Sequence, residues 1–112
     1  QASRDGFEMT ITRIFRVRIN PGLRAEFERK FASVSVAAVT GCKGSRDVAI
    51  FRPSRWASDE YAMISTWDDE AALAAFAGED WNTAFIPPGM EKYVRECWVH
   101  HYASWDDAQA GE

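Results

Sequence analysis

Glu60-Tyr61-Ala62-Met63-Ile64-Ser65-Thr66-Trp67-Asp68-Asp69-Glu70-Ala71-Ala72-Leu73 is the stretch that decides the fold. Its first eight residues alternate, with Tyr61, Met63, Ser65 and Trp67 on one side, which is the period of a strand. Asp68 then reads as a helix N-cap, and Asp69 and Glu70 favour the positive end of the helix dipole. The alanine-rich run to Ala77 stops at Gly78. A strand therefore passes directly into a short helix.

Upstream, Pro53 to Asp59 reads as a loop and Arg46 to Arg52 as a second strand, so these two strands form a hairpin. Thr40 to Ser45 holds Gly41 and Gly44 and ends a helix on which Leu23, Phe27, Phe31, Val34 and Ala38 recur at helical spacing. Arg24, Glu28 and Arg29 take its outer side. Before it, Asn20, Pro21 and Gly22 break a strand from Thr10 to Ile19, with Ile11, Phe15, Val17 and Ile19 on one face and Thr10, Thr12, Arg16 and Arg18 on the other. Downstream, Glu79 to Met90 carries Trp81, Phe85, Pro87 and Pro88; it is no single regular element and is expected to fold over the sheet. The last strand starts at Glu91 or Lys92 and runs to Ala103. Tyr93, Cys97, Val99 and His101 point one way, and Val94, Trp98, His100 and Tyr102 the other.

The order βαββαβ is that of a ferredoxin-like α+β fold with a four-stranded antiparallel sheet. Its two helices can cover only one face. The other carries Trp98, His100 and Tyr102, too aromatic a patch to leave in water, so a homodimer with the sheets face to face is expected. The domain is read as residues 10–103. Residues 1–9 read as an N-terminal extension or a remnant of cloning, and 104–112 as a polar tail.

The 112 residues suit one domain. A formal charge of -4 gives no electrostatic reason to approach nucleic acid or an anionic membrane, and neither partner is expected. Cys42 and Cys97 are 55 positions apart with no secretory h-region, so reduced thiols and a cytoplasmic location are expected. No apolar stretch approaches the roughly 18 residues that span a bilayer.

Residues 11–102, about four fifths of the chain, resemble the antibiotic biosynthesis monooxygenase family of dimeric α/β barrels. The resemblance is carried by Arg18-Ile19-Asn20-Pro21-Gly22, by the Thr-Gly-Cys-Lys-Gly-Ser turn at 40–45, and by Ile-Ser-Thr-Trp-Asp-Asp-Glu-Ala at 64–71. It implies a homodimer and cofactor-independent oxidation of an aromatic or quinol-type molecule by dioxygen. In such oxygenases the tryptophan matched by Trp67 lines a cavity between sheet and helices. Their asparagine four residues earlier is Met63 here, their tyrosine on the second helix is Leu73, and their arginine in the following segment falls near Pro87. The histidine and asparagine of the family's haem-degrading branch fall at Ile86 and Phe15, so haem is not implied. No cofactor is expected.

Oxygenation of this kind asks for a substrate that becomes electron-rich on losing a proton. The protein supplies an apolar pocket, a base and groups to hold the anion. The expected pocket is formed by Trp67, Met63, Leu73, Phe76 and Trp81. His101, facing the helices, is a candidate base, or else a hydrogen-bonded strand histidine. Tyr61 shares a face with Trp67 and is a candidate donor to an oxyanion, or else packs locally. Trp81 can close the pocket or plug the core. Arg13 shares the inward phase of Ile11 and Phe15, so it either reaches the edge or meets an anion. Adjacent His100 and His101 point apart, and Cys97 lies about 13 Å from His101 along the strand, so no metal site is expected. The alternatives are a non-catalytic barrel that binds a small hydrophobic ligand, favoured by Met63 and Leu73, and an isomerase on the same scaffold.

Overall fold

A computed structural model describes residues 10–78, 81 and 89–105. Strand β1 (Ile11–Ile19) is closed by Asn20, whose side chain accepts from the Gly22 amide, and a 3-10 turn Pro21–Leu23 leads into helix α1 (Arg24–Lys30). A π-helical turn Phe31–Ser35 joins α1 to α2 (Val36–Thr40). Strands β2 (Ser45–Phe51) and β3 (Glu60–Trp67) follow, then α3 (Glu70–Ala77), a 3-10 turn Glu91–Tyr93 and β4 (Val94–Ala103). The sheet order is β2-β3-β1-β4 with antiparallel pairing throughout, the ferredoxin-like arrangement expected from the sequence. Its core joins Ile11, Val17, Ile19, Tyr61, Met63 and Trp67 of the sheet to Phe27, Phe31, Val39 and Leu73 of the helices, with Met90 and Tyr93.

Three local features depart from the sequence pattern. First, Val34 is 39% exposed, and Ser35 and Val39 are the buried positions after Phe31. The π turn is the reason: the Val36 amide reaches back five residues to the Phe31 carbonyl, so one turn takes more residues and the inward stripe becomes Phe27, Phe31, Ser35 and Val39. Second, the N-cap of α3 is Asp69, whose carboxylate accepts from the Ala72 amide at 2.8 Å; Asp68 instead accepts from Arg46 at the surface. Third, Tyr93 lies in the 3-10 turn, and the β1–β4 register passes from Arg18↔Glu96 to Ile19↔Val94, skipping Arg95. That bulge turns Val94 inward onto the core, whereas unbroken alternation places it outward.

Two tyrosine–glutamate clasps hold α1, one to β3 and one to the 3-10 turn that precedes β4. Tyr61 donates to Glu28 at 2.5 Å and Tyr93 to Glu26 at 2.7 Å. The turn before β2 is held from the other side: Gly44 has φ +94° and its carbonyl accepts from the Asp68 amide, and a Cβ there would lie 2.4 Å from that of Ala72 on α3. Both cysteines are free of disulfides. No described helix is long and apolar enough to cross a membrane. The face of the sheet away from the helices carries Trp98 between Arg16 and Arg18, whose guanidinium carbons lie 5.2 and 5.8 Å from its ring centre, and Tyr102, which is 55% exposed.

Candidate functional site

Register decides what the helix-facing side of the sheet offers. Ser65 on β3 is the cross-strand partner of Arg13 on β1, and Arg13 is the partner of His101 on β4. These residues form a polar row across three strands, all turned toward the helices. The rows beside it, Trp67–Ile11–Ala103 and Met63–Phe15–Val99, are apolar. Above this floor lies a cavity of about 30 Å³ lined by Arg13, Phe15, Met63 and Ser65 from the sheet and by Phe31, Ser35, Ala38, Val39 and Phe76 from the helices. That volume admits about two waters, so a ring-sized ligand must displace lining side chains, with half-buried Phe76 and Phe15 the least confined.

Arg13 is 3% exposed. Its Nη1 donates to the Trp81 carbonyl at 2.8 Å and to His101 Nε2 at 2.9 Å, and its guanidinium carbon stands 5.8 Å from the centre of the Phe76 ring. Burial lowers its pKa to about 10, which leaves it charged at neutral pH. A guanidinium can only donate, so Nε2 of His101 is the acceptor and the neutral ring carries its proton on Nδ1. Desolvation, then the charge of Arg13, push the His101 pKa down to about 4. His101 is thus a neutral, hydrogen-bonded strand histidine at working pH, with Trp81 edge-on to its ring at 4.7 Å.

Of the residues expected to form the pocket, Met63, Phe76 and Arg13 line the cavity. Trp67 and Leu73 are each 0% exposed core residues and are not part of the lining. Trp67 stacks on Phe76 at 5.1 Å, and its Nε1–H donates to Ser65 Oγ at 3.0 Å. Trp81 is half-buried beside His101 and holds Arg13 through its carbonyl. Tyr61 lies elsewhere. Six positions along β3 separate it from Trp67, about 20 Å, and it lines a different hollow between α1 and β2 with Glu28, Ile50 and Arg52. Burial and the Glu28 carboxylate raise its pKa to about 12, so it stays a protonated donor to that carboxylate. The positions matched to Pro87 and Ile86 lie outside the described residues.

Sequence reading passed over Ser35 and Ser65, both buried in the cavity wall. Each had a signal: Ser65 is a small polar residue at an inward strand position between Met63 and Trp67, and Ser35 continues the period-four series Leu23, Phe27, Phe31. No group of three or more metal-ligating side chains occurs among the described residues.

The fold and cavity define a ferredoxin-like α+β domain with a small internal site between sheet and helices. The chain belongs to the antibiotic biosynthesis monooxygenase family, whose model matches residues 10–88. Among solved structures it is similar to protein SO0527 of Shewanella oneidensis, with 15% identity over 87% of this chain and 92% of that one and a TM-score of 0.68. A variant of SnoaB, a cofactor-independent oxygenase of Streptomyces nogalater, matches at 19% identity over 86% and 93%, with a TM-score of 0.65. The heme-degrading protein Rv3592 of Mycobacterium tuberculosis matches at 19% over 88% and 93%, with a TM-score of 0.60. At these identities the likeness is one of fold. The sequence matches no curated protein.

Proposed function

We propose that this protein binds a small hydroxylated aromatic in the cavity as its oxyanion and promotes its oxidation by dioxygen without a cofactor. The polar row Ser65–Arg13–His101, set into an otherwise apolar floor, carries this reading. A cationic donor in a low-dielectric cavity stabilises a phenolate or enolate far more than it does the neutral molecule. Arg13 therefore lowers the ligand's own pKa, and the proton leaves to solvent without a strong base. His101, already accepting from Arg13, fixes the guanidinium rather than taking the proton. The electron-rich anion then adds dioxygen at carbon. Protonation of the peroxide and loss of water leave a new carbonyl, one oxygen atom entering the product and the other leaving as water.

Membership of the family and a fold shared with a cofactor-independent oxygenase support the reaction class. The low pKa of His101 favours a second reading, binding without turnover. Oxygen uptake with anthrones, hydroquinones and catechols separates the two. The first reading expects uptake by wild type that falls at least tenfold in Arg13→Gln. Folded wild-type protein with no uptake above background on any of them contradicts it.

The chain is further proposed to pair with a second copy through the uncovered face of Trp98, His100 and Tyr102, which suits burial against a like sheet. Sedimentation of wild type as a dimer and of Trp98→Glu as a monomer is expected. A monomeric wild type contradicts the pairing. Its proposed location is the cytoplasm.

A further inference from the structure

A second cavity, of about 20 Å³, adjoins the one above Arg13. Phe15, Phe31 and Ser35 line both, so these three side chains are the partition between them. The far walls are Val17 of β1, Phe27 of α1, Met90, and Val94 at the start of β4. Two irregularities of the backbone shape this space. The bulge at Arg95 turns Val94 inward, and the π turn buries Ser35 in place of Val34. Along β1, Arg13, Phe15 and Val17 are successive inward positions about 7 Å apart, so the second cavity begins one side chain beyond the polar row. Phe15 is half-buried and can swing aside more freely than the enclosed Phe31.

Of the seven described residues that line this cavity, six are apolar. The single hydroxyl of Ser35 does not supply the roughly two to four partners that a trapped water needs, so the space stays dry and suits apolar guests. Its volume, enough for about one or two waters, fits a diatomic molecule and no ring. We infer that this cavity is a binding site for dioxygen, which is held one side chain away from the bound anion and passes to it by way of Phe15. This rests on the oxygenase reading above. Among the participants in that reaction the organic anion needs the charge of Arg13, and the proton and water need polar partners. Dioxygen is small, uncharged and apolar. A separate hollow is also what space demands: the cavity above Arg13 must already part its lining to admit a ring and has no room for a second molecule beside it.

Dioxygen is paramagnetic and speeds the relaxation of protons beside it, so methyl NMR under pressurised dioxygen, with pressurised nitrogen as blank, reads its position. In wild type the methyls of Val17, Met90 and Val94 are expected to gain several-fold more relaxation than that of Leu73, which is as deeply buried but lines neither cavity. Val17→Ile adds a methylene to the space and should bring Met90 and Val94 down to the level of Leu73. Val94→Ile is a second filling variant, read at Val17 and Met90. In steady-state oxygen uptake with an anthrone, both variants should raise the KM for dioxygen several-fold and leave kcat at saturating dioxygen and the dissociation constant of 4-nitrophenol unchanged. Wild-type methyls of Val17, Met90 and Val94 that relax no faster than Leu73 overturn the inference and leave the oxygenase reading standing. A filled cavity with an unchanged KM for dioxygen overturns it as well, since the gas then reaches the anion by another route. Occupancy in a wild type that consumes no dioxygen with any substrate upholds the gas site and overturns the oxygenase reading instead.

Discussion

Replacing Trp67 by phenylalanine tests how the site is built, because the indole is fully enclosed and meets the cavity lining through its hydrogen bond to Ser65 and its stacking on Phe76. The change removes a nitrogen and two carbon-sized atoms from a 0%-exposed side chain. Lost burial of those carbons costs about 1.5 kcal/mol. The broken Nε1–H···Oγ bond, 3.0 Å in a buried setting, adds about 1 kcal/mol. A net loss of about 2–3 kcal/mol follows, and at about 4 °C per kcal/mol for a chain of this size the midpoint should fall by about 10 °C. Urea and thermal unfolding followed by circular dichroism measure it. The second half of the prediction concerns ligands: with Ser65 no longer oriented, phenol affinity falls several-fold while toluene affinity stays level. A loss below about 0.5 kcal/mol would refute the packing argument. An equal drop for phenol and toluene would refute the claim that Trp67 acts through Ser65.

Other consequences concern the scaffold and the charged row. Gly44→Ala sets a Cβ 2.4 Å from that of Ala72 at φ +94°, so it should destabilise by at least about 2 kcal/mol, measured by urea midpoint; a neutral change would show that the turn and α3 can part freely. Tyr61→Phe breaks the clasp to Glu28, so it should lower the melting temperature but leave phenol affinity unchanged; an affinity change would place Tyr61 in the site after all. The His101 pKa is lowered to about 4 in the folded chain, so its contribution is fully present above the unfolded value near 6.5 and is lost as pH falls toward 4. Allowing for partial exposure of the ring, about 1–2 kcal/mol disappears over that window. His101→Gln should show a correspondingly smaller stability change between pH 7 and about 4.5, and an identical change in both proteins would contradict the shift.

The fold was largely legible because alternation and helical spacing report which face a residue takes. β3 runs from Glu60 to Trp67 as the pattern has it, and Arg13 points inward with Ile11 and Phe15. What alternation does not report is position along the strand or register across it. Tyr61 and Trp67 share a face, yet Tyr61 lines a hollow of its own and Trp67 is enclosed in the core, while Ser65, Arg13 and His101, far apart in sequence, meet through pairing. One-residue irregularities were hidden for a related reason. The bulge at Arg95 reverses the facing of Val94, and the π turn exchanges Val34 for Ser35; in both, tertiary packing overrides the local period. The inward serines escaped attention because a serine in a strand or helix is ordinarily unremarkable, and only burial without a hydrogen-bond partner among the described residues sets them apart.

The central claim, that Arg13 favours the anionic form of a bound phenol, is tested most directly with 4-nitrophenol, whose ionisation is read by absorbance. Titrated with saturating wild-type protein, its pKa should fall below the value in buffer, and in Arg13→Gln that shift should vanish while the protein stays folded. A bound pKa equal to or higher than that in buffer, or a downward shift that survives the loss of Arg13, would contradict the account.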